Sequence, residues 1–215
     1  MKNAKYACVM FDLDGTLLDT IEDITNAVNI TLCEFGYPKR SVSEVKTYIN
    51  NGARRLIFLA LPENARSDEN VSAVLERYLE VYAEHVCEKT RPYDKIPELV
   101  KKLKDGGIKL AVVSNKPEKL VGALLEICFG KCVFDYFSGT GENLPRKPDK
   151  ACIRRALDYL KVPPDSVLYV GDSSVDVMTA RNSELKCVGV TWGFGGKHSF
   201  DGYSPDITAD SAKEL

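Results

Sequence analysis

With 215 residues, 44% of them hydrophobic and 28% charged, the chain has the size of one or two ordinary domains and the balance of a globular protein, which excludes a mainly disordered chain. Its 29 basic and 31 acidic residues leave a formal charge of -2, so it has no overall attraction for nucleic acid or an anionic membrane, and any phosphate must be held by local groups. No stretch approaches the roughly 20 apolar residues of a membrane span. The seven cysteines form no CxxC pair and the two histidines, His85 and His198, stand away from them, so most of the thiols read as buried and reduced in a cytoplasmic protein.

The first predicted element is Tyr6–Phe11 (YACVMF), an apolar run stopped by Asp12 before it is long enough for a signal-peptide core. Its length and flanks suit a strand buried on both faces of a parallel sheet. Helical periodicity follows. Ile21, Ile24, Val28, Thr31, Leu32 and Phe35 form a stripe ended by Gly36; Ser41 and Glu44 have capping-box spacing; Ile57 to Leu61 belongs to a third helix. Val71, Val74, Leu75, Tyr78, Val81, Tyr82 and His85 mark a long amphipathic helix, on which His85 reads as packing.

From about residue 91 the pattern changes to alternating helices and strands. Ile96, Leu99, Val100 and Leu103 predict a helix closed by Gly106-Gly107, followed by a strand over Ile108–Val113. Leu120 to Leu125 form a helix with Pro117 in its first turn, and a weaker strand surrounds Phe134–Ser138. A helix opened by Pro148 carries Ile153, Ala156, Leu157 and Leu160; strands at Ser166–Val170 and Lys186–Val190 flank a helix beginning near Ser174. This alternation predicts an α/β fold with a doubly wound parallel sheet, residues 1–16 and 89–215, interrupted after its first strand by a helical insertion, residues 17–88. An insertion there belongs above the carboxyl ends of the strands, where open α/β sheets bind ligands.

The chemistry-bearing residues gather at strand ends. Asp12 and Asp14 of DLDGTL close the first strand, and paired carboxylates followed by glycine suit a hard cation with oxygen ligands. Ser114 and Asn115 end the second long strand, Lys147 precedes a helix start, and Gly171-Asp172-Ser173 ends another strand with Asp176 three residues beyond Ser173. In a parallel sheet those exits share one edge, so carboxylates, a hydroxyl and a lysine can converge across some 160 residues of chain.

DLDGTL at 12–17, SN at 114–115, KPD at 147–149 and GDSSVD at 171–176 resemble, in order, the four motifs of the haloacid dehalogenase-like hydrolase superfamily, and the helical insertion resembles its first type of cap. The resemblance implies a Mg²⁺-dependent phosphatase. Asp12 is similar to the nucleophile that forms an aspartyl-phosphate, and Asp14 to the general acid/base. Ser114, Asn115 and Lys147 resemble the group that binds the phosphoryl oxygens. Asp12, Asp172 and the backbone carbonyl of Asp14 would hold Mg²⁺, with Asp176 supporting that shell. Asp14 disfavours carbon–halogen cleavage, because dehalogenating members lack the second aspartate of the first motif, and Thr16 favours hydrolases over mutases.

Asn50-Asn51-Gly52-Ala53-Arg54, Asp19-Thr20 and Thr191-Trp192-Gly193 resemble phosphoglycolate phosphatases, where a basic cap residue, Arg54 here, can meet the substrate carboxylate. The expectation is a small phosphorylated metabolite, phosphoglycolate favoured, with a cap hinged at Leu17–Thr20 and Glu88–Pro92. Inorganic pyrophosphatase, other monophosphatases and β-phosphoglucomutase-like phosphotransferases share the core residues and remain alternatives. A signalling phospho-acceptor module would need no 70-residue lid, and a non-catalytic relative would be expected to lack a motif residue.

Overall fold

In a computed structural model, residues 5–141, 145–200 and 202–215 are described. The chain divides into two compact units, residues 1–19 with 92–215, and residues 20–91. No helix among the described residues is long and apolar enough to cross a membrane.

The larger unit is built on a six-stranded sheet. In chain order, its first strand is β1 (Cys8–Phe11), and two short strands, β2 (Leu18–Asp19) and β3 (Arg91–Pro92), lie where the chain passes between units. Then come α5 (Ile96–Asp105), β4 (Lys109–Pro117), α6 (Glu118–Phe129), β5 (Tyr136–Thr140), α7 (Lys150–Leu160), β6 (Val167–Gly171), α8 (Ser174–Asn182), β7 (Lys186–Val190) and β8 (Ile207–Ala209). The sheet order is β5-β4-β1-β6-β7-β8, and all its pairings are parallel. From β1 the chain moves one way to β4 and β5, then crosses to β6, β7 and β8 on the other side. Right-handed crossovers therefore put α5 and α6 on one face and α7 and α8 on the other. Side-chain alternation agrees: Cys8, Met10, Ala111, Val113, Val167, Tyr169 and Cys187 pack in one cluster with Ile153, Ala156 and Leu160 of α7 and Val177 and Ala180 of α8. Val9, Phe11, Leu110 and Val112, all buried, point to the opposite face. Full burial of a side chain such as Met10 or Phe11 stabilises the fold by about 1.5–3 kcal/mol. The switch in winding direction falls at β1, between β4 and β6, and the carboxyl ends of these three strands form the crevice where such sheets bind ligands.

The predicted doubly wound α/β core is thus observed. β4 runs on to Pro117, past the expected end at Val113, with a register shift against β5 in that stretch. β8 was not expected; it adds to the β7 edge after a loop. Only three of the seven cysteines, Cys8, Cys152 and Cys187, are buried, so the expectation of mostly buried thiols fails for Cys33 and Cys132, which are exposed; none of the seven is in a disulfide.

The smaller unit holds α1 (Ile21–Glu34), α2 (Val42–Tyr48), α3 (Ala53–Ala60) and α4 (Asp68–Glu84). The capping box forms: Ser41 Oγ accepts the Glu44 N–H at 3.2 Å and Glu44 Oε2 accepts the Ser41 N–H at 2.8 Å. Val28 and Leu32 of α1 and Val74, Tyr78 and Val81 of α4 are buried as the two helices pack together. Asp23, on the same helix, is 2% exposed and accepts N–H bonds from Lys89 and Thr90 at 2.8–3.0 Å and the Thr90 hydroxyl at 2.7 Å. His85 is not the packing residue its periodicity predicted. It sits at the C-cap of α4, half-exposed, with Nδ1 2.8 Å from Glu88, a contact that raises its pKa.

Candidate active site

The strand ends bring the motif residues of the larger unit together. Asp12 follows β1 directly and its N–H donates to the Val170 carbonyl at 2.9 Å, which ties it to the end of β6. Asp172 follows β6, and Asp176 lies in the first turn of α8, where it completes a capping box with Ser173. Asp12, Asp172 and Asp176 each offer a carboxylate oxygen within 4.8 Å of the others, and all three are buried.

Lys147 enters this acidic group. Its Nζ lies 2.7 Å from Asp12 Oδ1 and 2.7 Å from Asp176 Oδ1, and its side chain is 2% exposed. Tyr169, an inward residue of β6, places its hydroxyl 3.2 Å from Lys147 Nζ and donates to Asp176 Oδ1 at 3.1 Å. Asp176 Oδ2 accepts the Ser173 N–H at 3.1 Å and the Ser173 hydroxyl at 2.6 Å, so both its oxygens are taken. Asp12 Oδ1 differs. It is buried 2.7 Å from the ammonium as an ion pair and has no hydrogen-bond partner.

Three buried carboxylates facing one ammonium carry excess negative charge in a low-dielectric place. Burial, reinforced by Asp176 and Asp14 and opposed by Lys147, pushes Asp12 up to about 7. Burial, reinforced by Asp176 and Asp12, raises Asp172 well above the carboxylate range. Burial alone would drive Lys147 toward the neutral amine, but Asp12 and Asp176 outweigh it and hold its pKa above the ordinary value. A hard cation with oxygen ligands fits this donor set: it would relieve the charge and partner the Asp12 oxygen.

Asp14 is turned elsewhere. Lys116 Nζ lies 3.0 Å from both of its carboxylate oxygens. Ser114 and Lys116, two residues apart on β4, are both buried, and Ser114 Oγ accepts the Lys116 N–H at 3.2 Å. Asn115 clamps the chain at Lys147: its Oδ1 accepts the Lys147 N–H at 2.9 Å and its Nδ2 donates to the Lys147 carbonyl at 3.1 Å. Asp149 of the KPD motif caps α7 by accepting the Ala151 N–H at 2.9 Å. Arg54 belongs to the other unit, where it pairs with Asp68 and donates to Ser72 Oγ at 3.0 Å.

Sequence reasoning did not single out Tyr169, which reads as core inside an apolar run, and it placed Gly15, Gly171 and Gly193 in motifs without seeing that they make room for the Asp172 and Asp176 carboxylates. A Cβ at Gly15 or at Gly193 would meet the Asp172 carboxylate at 2.3 Å, and one at Gly171 would meet Asp176 at 2.3 Å. The Phe194 N–H donates to Asp172 Oδ2 at 3.1 Å, and Trp192 Nε1 donates to the Thr16 carbonyl at 3.0 Å. The loop after β7 therefore closes one side of the site, and the TWG sequence was its only signal.

The haloacid dehalogenase-like hydrolase family matches residues 9–190. A Pseudomonas aeruginosa protein named phosphoglycolate phosphatase 1 is 35% identical over 214 residues, covering 96% of this chain and 77% of its own length. Among solved structures, a predicted phosphoglycolate phosphatase from Haemophilus somnus superposes with a TM-score of 0.91 at 28% identity, covering 99% of this chain and 97% of that one. CbbY from Rhodobacter sphaeroides, solved with phosphate, gives a TM-score of 0.80 at 26% identity over 98% of this chain and 96% of its own. Motifs, fold and relatives agree: the chain belongs to the haloacid dehalogenase-like hydrolases.

Proposed function

We propose that the protein is a Mg²⁺-dependent phosphatase that hydrolyses a small phosphorylated metabolite, phosphoglycolate favoured, through an aspartyl-phosphate on Asp12. The observation that carries this reading is the buried Asp12 oxygen, without a hydrogen bond, beside Asp172, Asp176 and the Lys147 ammonium. Asp12, Asp172 and the backbone carbonyl of Asp14 would hold Mg²⁺, with Asp176 supporting. Bound there, the ion offsets negative charge on the phosphoryl oxygens and favours the ionised form of Asp12.

The chain's own groups divide the remaining work. Asp12 attacks phosphorus and the ester P–O bond breaks, while Asp14 gives its proton to the departing oxygen. Asp14 then takes a proton from water, which attacks the aspartyl-phosphate and releases inorganic phosphate with Asp12 restored. Ser114 and Lys147 bind the phosphoryl oxygens and compensate their charge. The amide clamp on the Lys147 backbone assigns Asn115 to positioning that lysine. Names of relatives favour phosphoglycolate, and a complex of CbbY with xylulose-1,5-bisphosphate keeps sugar phosphates on the test panel. Phosphate release from phosphorylated metabolites and pyrophosphate, with Mg²⁺ and with chelator, tests the proposal. The expected result is release that requires Mg²⁺ and falls by at least about 10³-fold in Asp12→Asn. Release unchanged in that variant overturns it.

A further inference from the structure

Tyr169 takes no part in the chemistry above, yet its hydroxyl reaches the centre of the site. The residue is fully buried on β6, in the cluster that holds Met10, Ile153 and Val177. A phenylalanine would fill this space as well, and burying a phenolic hydroxyl is unfavourable unless polar partners meet it. Here they do. The hydroxyl lies 3.1 Å from Asp176 Oδ1 and 3.5 Å from the Val113 carbonyl, and its single proton goes to the nearer, charged acceptor. Its lone pairs are left for Lys147, whose Nζ donates to it at 3.2 Å and to Asp176 Oδ1 at 2.7 Å. Lys147, Asp176 and Tyr169 thus close a triangle of hydrogen bonds, beside which Asp12 Oδ1 stands 2.7 Å from the ammonium as an ion pair.

We infer that Tyr169 is a positioning residue whose hydroxyl aims the Lys147 ammonium at the phosphoryl group, an inference that rests on the phosphatase reading above. A lysine ammonium is a point charge on a flexible stem with three rotatable donors, so its direction must come from what surrounds it. Asp12 cannot give that direction throughout, because its carboxylate charge is lost while the aspartyl-phosphate exists. Asp176 and Tyr169 keep their places through both steps. Asp176 supplies charge, and the hydroxyl takes a second N–H without adding negative charge to a group of three buried carboxylates. The third N–H is left for the Asp12 side, where phosphoryl oxygens gather charge in the transition state. A donor held in this way acts on the transition state more than on bound substrate.

The test compares the wild type with Tyr169→Phe, which keeps the ring, its centroid 5.9 Å from Lys147 Nζ, and removes only the hydroxyl. With phosphoglycolate and saturating Mg²⁺, kcat is expected to fall about 10- to 100-fold while KM stays within about threefold. Orthovanadate, bound with Mg²⁺ present as a mimic of the phosphoryl transition state, is expected to lose affinity by a similar factor in calorimetry. In a Lys147→Ala background the same substitution should change vanadate affinity by less than about twofold, because a residue that works through the lysine has nothing left to position. An equal loss with and without Lys147, or an unchanged kcat in Tyr169→Phe, overturns the inference and leaves the phosphatase reading intact. So does a Tyr169→Phe protein that does not fold, since the hydroxyl would then serve the core. If the wild type releases phosphate from no ester, the phosphatase reading fails, and vanadate alone decides the inference: binding at least about tenfold tighter to wild type than to Tyr169→Phe supports it, and equal binding overturns it.

Discussion

Asp172 is held by what its neighbours lack. Gly15 and Gly193 lie so close to its carboxylate that a methyl group at either would overlap it. At Gly15 the backbone is also in the left-handed region, with φ of 85°, so a side chain there would be strained as well as crowded. Gly193 has no such backbone requirement, which makes Gly193→Ala the cleaner probe. The substitution is expected to shift the Asp172 carboxylate and raise the Mg²⁺ concentration for half-maximal phosphate release by about 10- to 100-fold, read from a metal titration of activity. Asp12→Asn separates chemistry from stability in the same cluster. It removes one of three buried negative charges that face a single ammonium, so the metal-free variant should melt no lower than the metal-free wild type in a thermal scan although its activity is lost. At this scale the sequence showed which residues meet and not how they pair. The meeting of Asp12, Lys147, Asp172 and Asp176 was legible because polar groups at successive strand exits must share an edge. The Lys116–Asp14 pair spans 102 positions, and no local pattern encodes it. Tyr169 was hidden because a tyrosine inside SVLYV looks like any core aromatic, and only the fold shows its hydroxyl reaching Lys147 and Asp176.

Elements are joined by aspartates, Asp23 buried and Asp135 more exposed, that periodicity does not reveal. Asp23 lies on the buried side of α1 and satisfies the N–H groups of Lys89 and Thr90 together with the Thr90 hydroxyl. Asp23→Ala leaves these donors without their acceptor and is expected to cost about 2–3 kcal/mol in chemical denaturation. Asp135 does similar work at the start of β4. Its Oδ2 accepts the Leu110 N–H at 2.8 Å and its Oδ1 lies 2.7 Å from Lys104 Nζ of α5. Partial burial works against the charge, but Lys104 and the Leu110 N–H outweigh it and hold the pKa below the ordinary carboxylate value. A carboxylate whose folded pKa is depressed stabilises above its unfolded pKa and loses that contribution as pH falls through the folded one. Asp135→Asn should therefore cost about 1 kcal/mol at pH 7, a small figure because the pair is partly solvated, and the gap to wild type should close in acid as pH falls through a folded pKa below the ordinary carboxylate value. Equal gaps at pH 7 and in acid would exclude the ionic part of this account. Strands with long apolar runs were legible at this scale. β8 was not, since three residues after a loop rich in Gly, Ser and Pro carry too little pattern. The end of β4 was missed because the apolar run that marks the strand stops at Val113, while the polar residues after it are still strand residues turned to polar work.

For the molecule as a whole, the acidic cluster ties the catalytic requirement to folding. The unfolded chain has no preformed set of three carboxylates, so on the proposed reading Mg²⁺ would bind the native state in preference, and a hundredfold excess over its dissociation constant would add about 2.7 kcal/mol of stability. For a chain of this length 1 kcal/mol corresponds to roughly 2–4 °C in Tm. Saturating Mg²⁺ should then raise the melting temperature by about 5–10 °C, and chelator should reverse the rise. The carboxylates proposed to hold or support the ion, Asp12, Asp172 and Asp176, all belong to the α/β unit, residues 1–19 and 92–215, and none to residues 20–91. The protection should therefore follow that unit. In hydrogen exchange, amides of β1 and β6 should slow on adding Mg²⁺, while those of α1 and α4 change little. Asp172→Asn should abolish both the Tm shift and the selective slowing. Ca²⁺ offers a second control, because its larger radius and looser coordination let it occupy oxygen sites without reproducing Mg²⁺ geometry. It should stabilise the fold comparably and support little phosphate release. A rise in Tm that persists in Asp172→Asn would show that the ion stabilises the protein from another site, and the reading of the carboxylate cluster as the metal centre would fall with it.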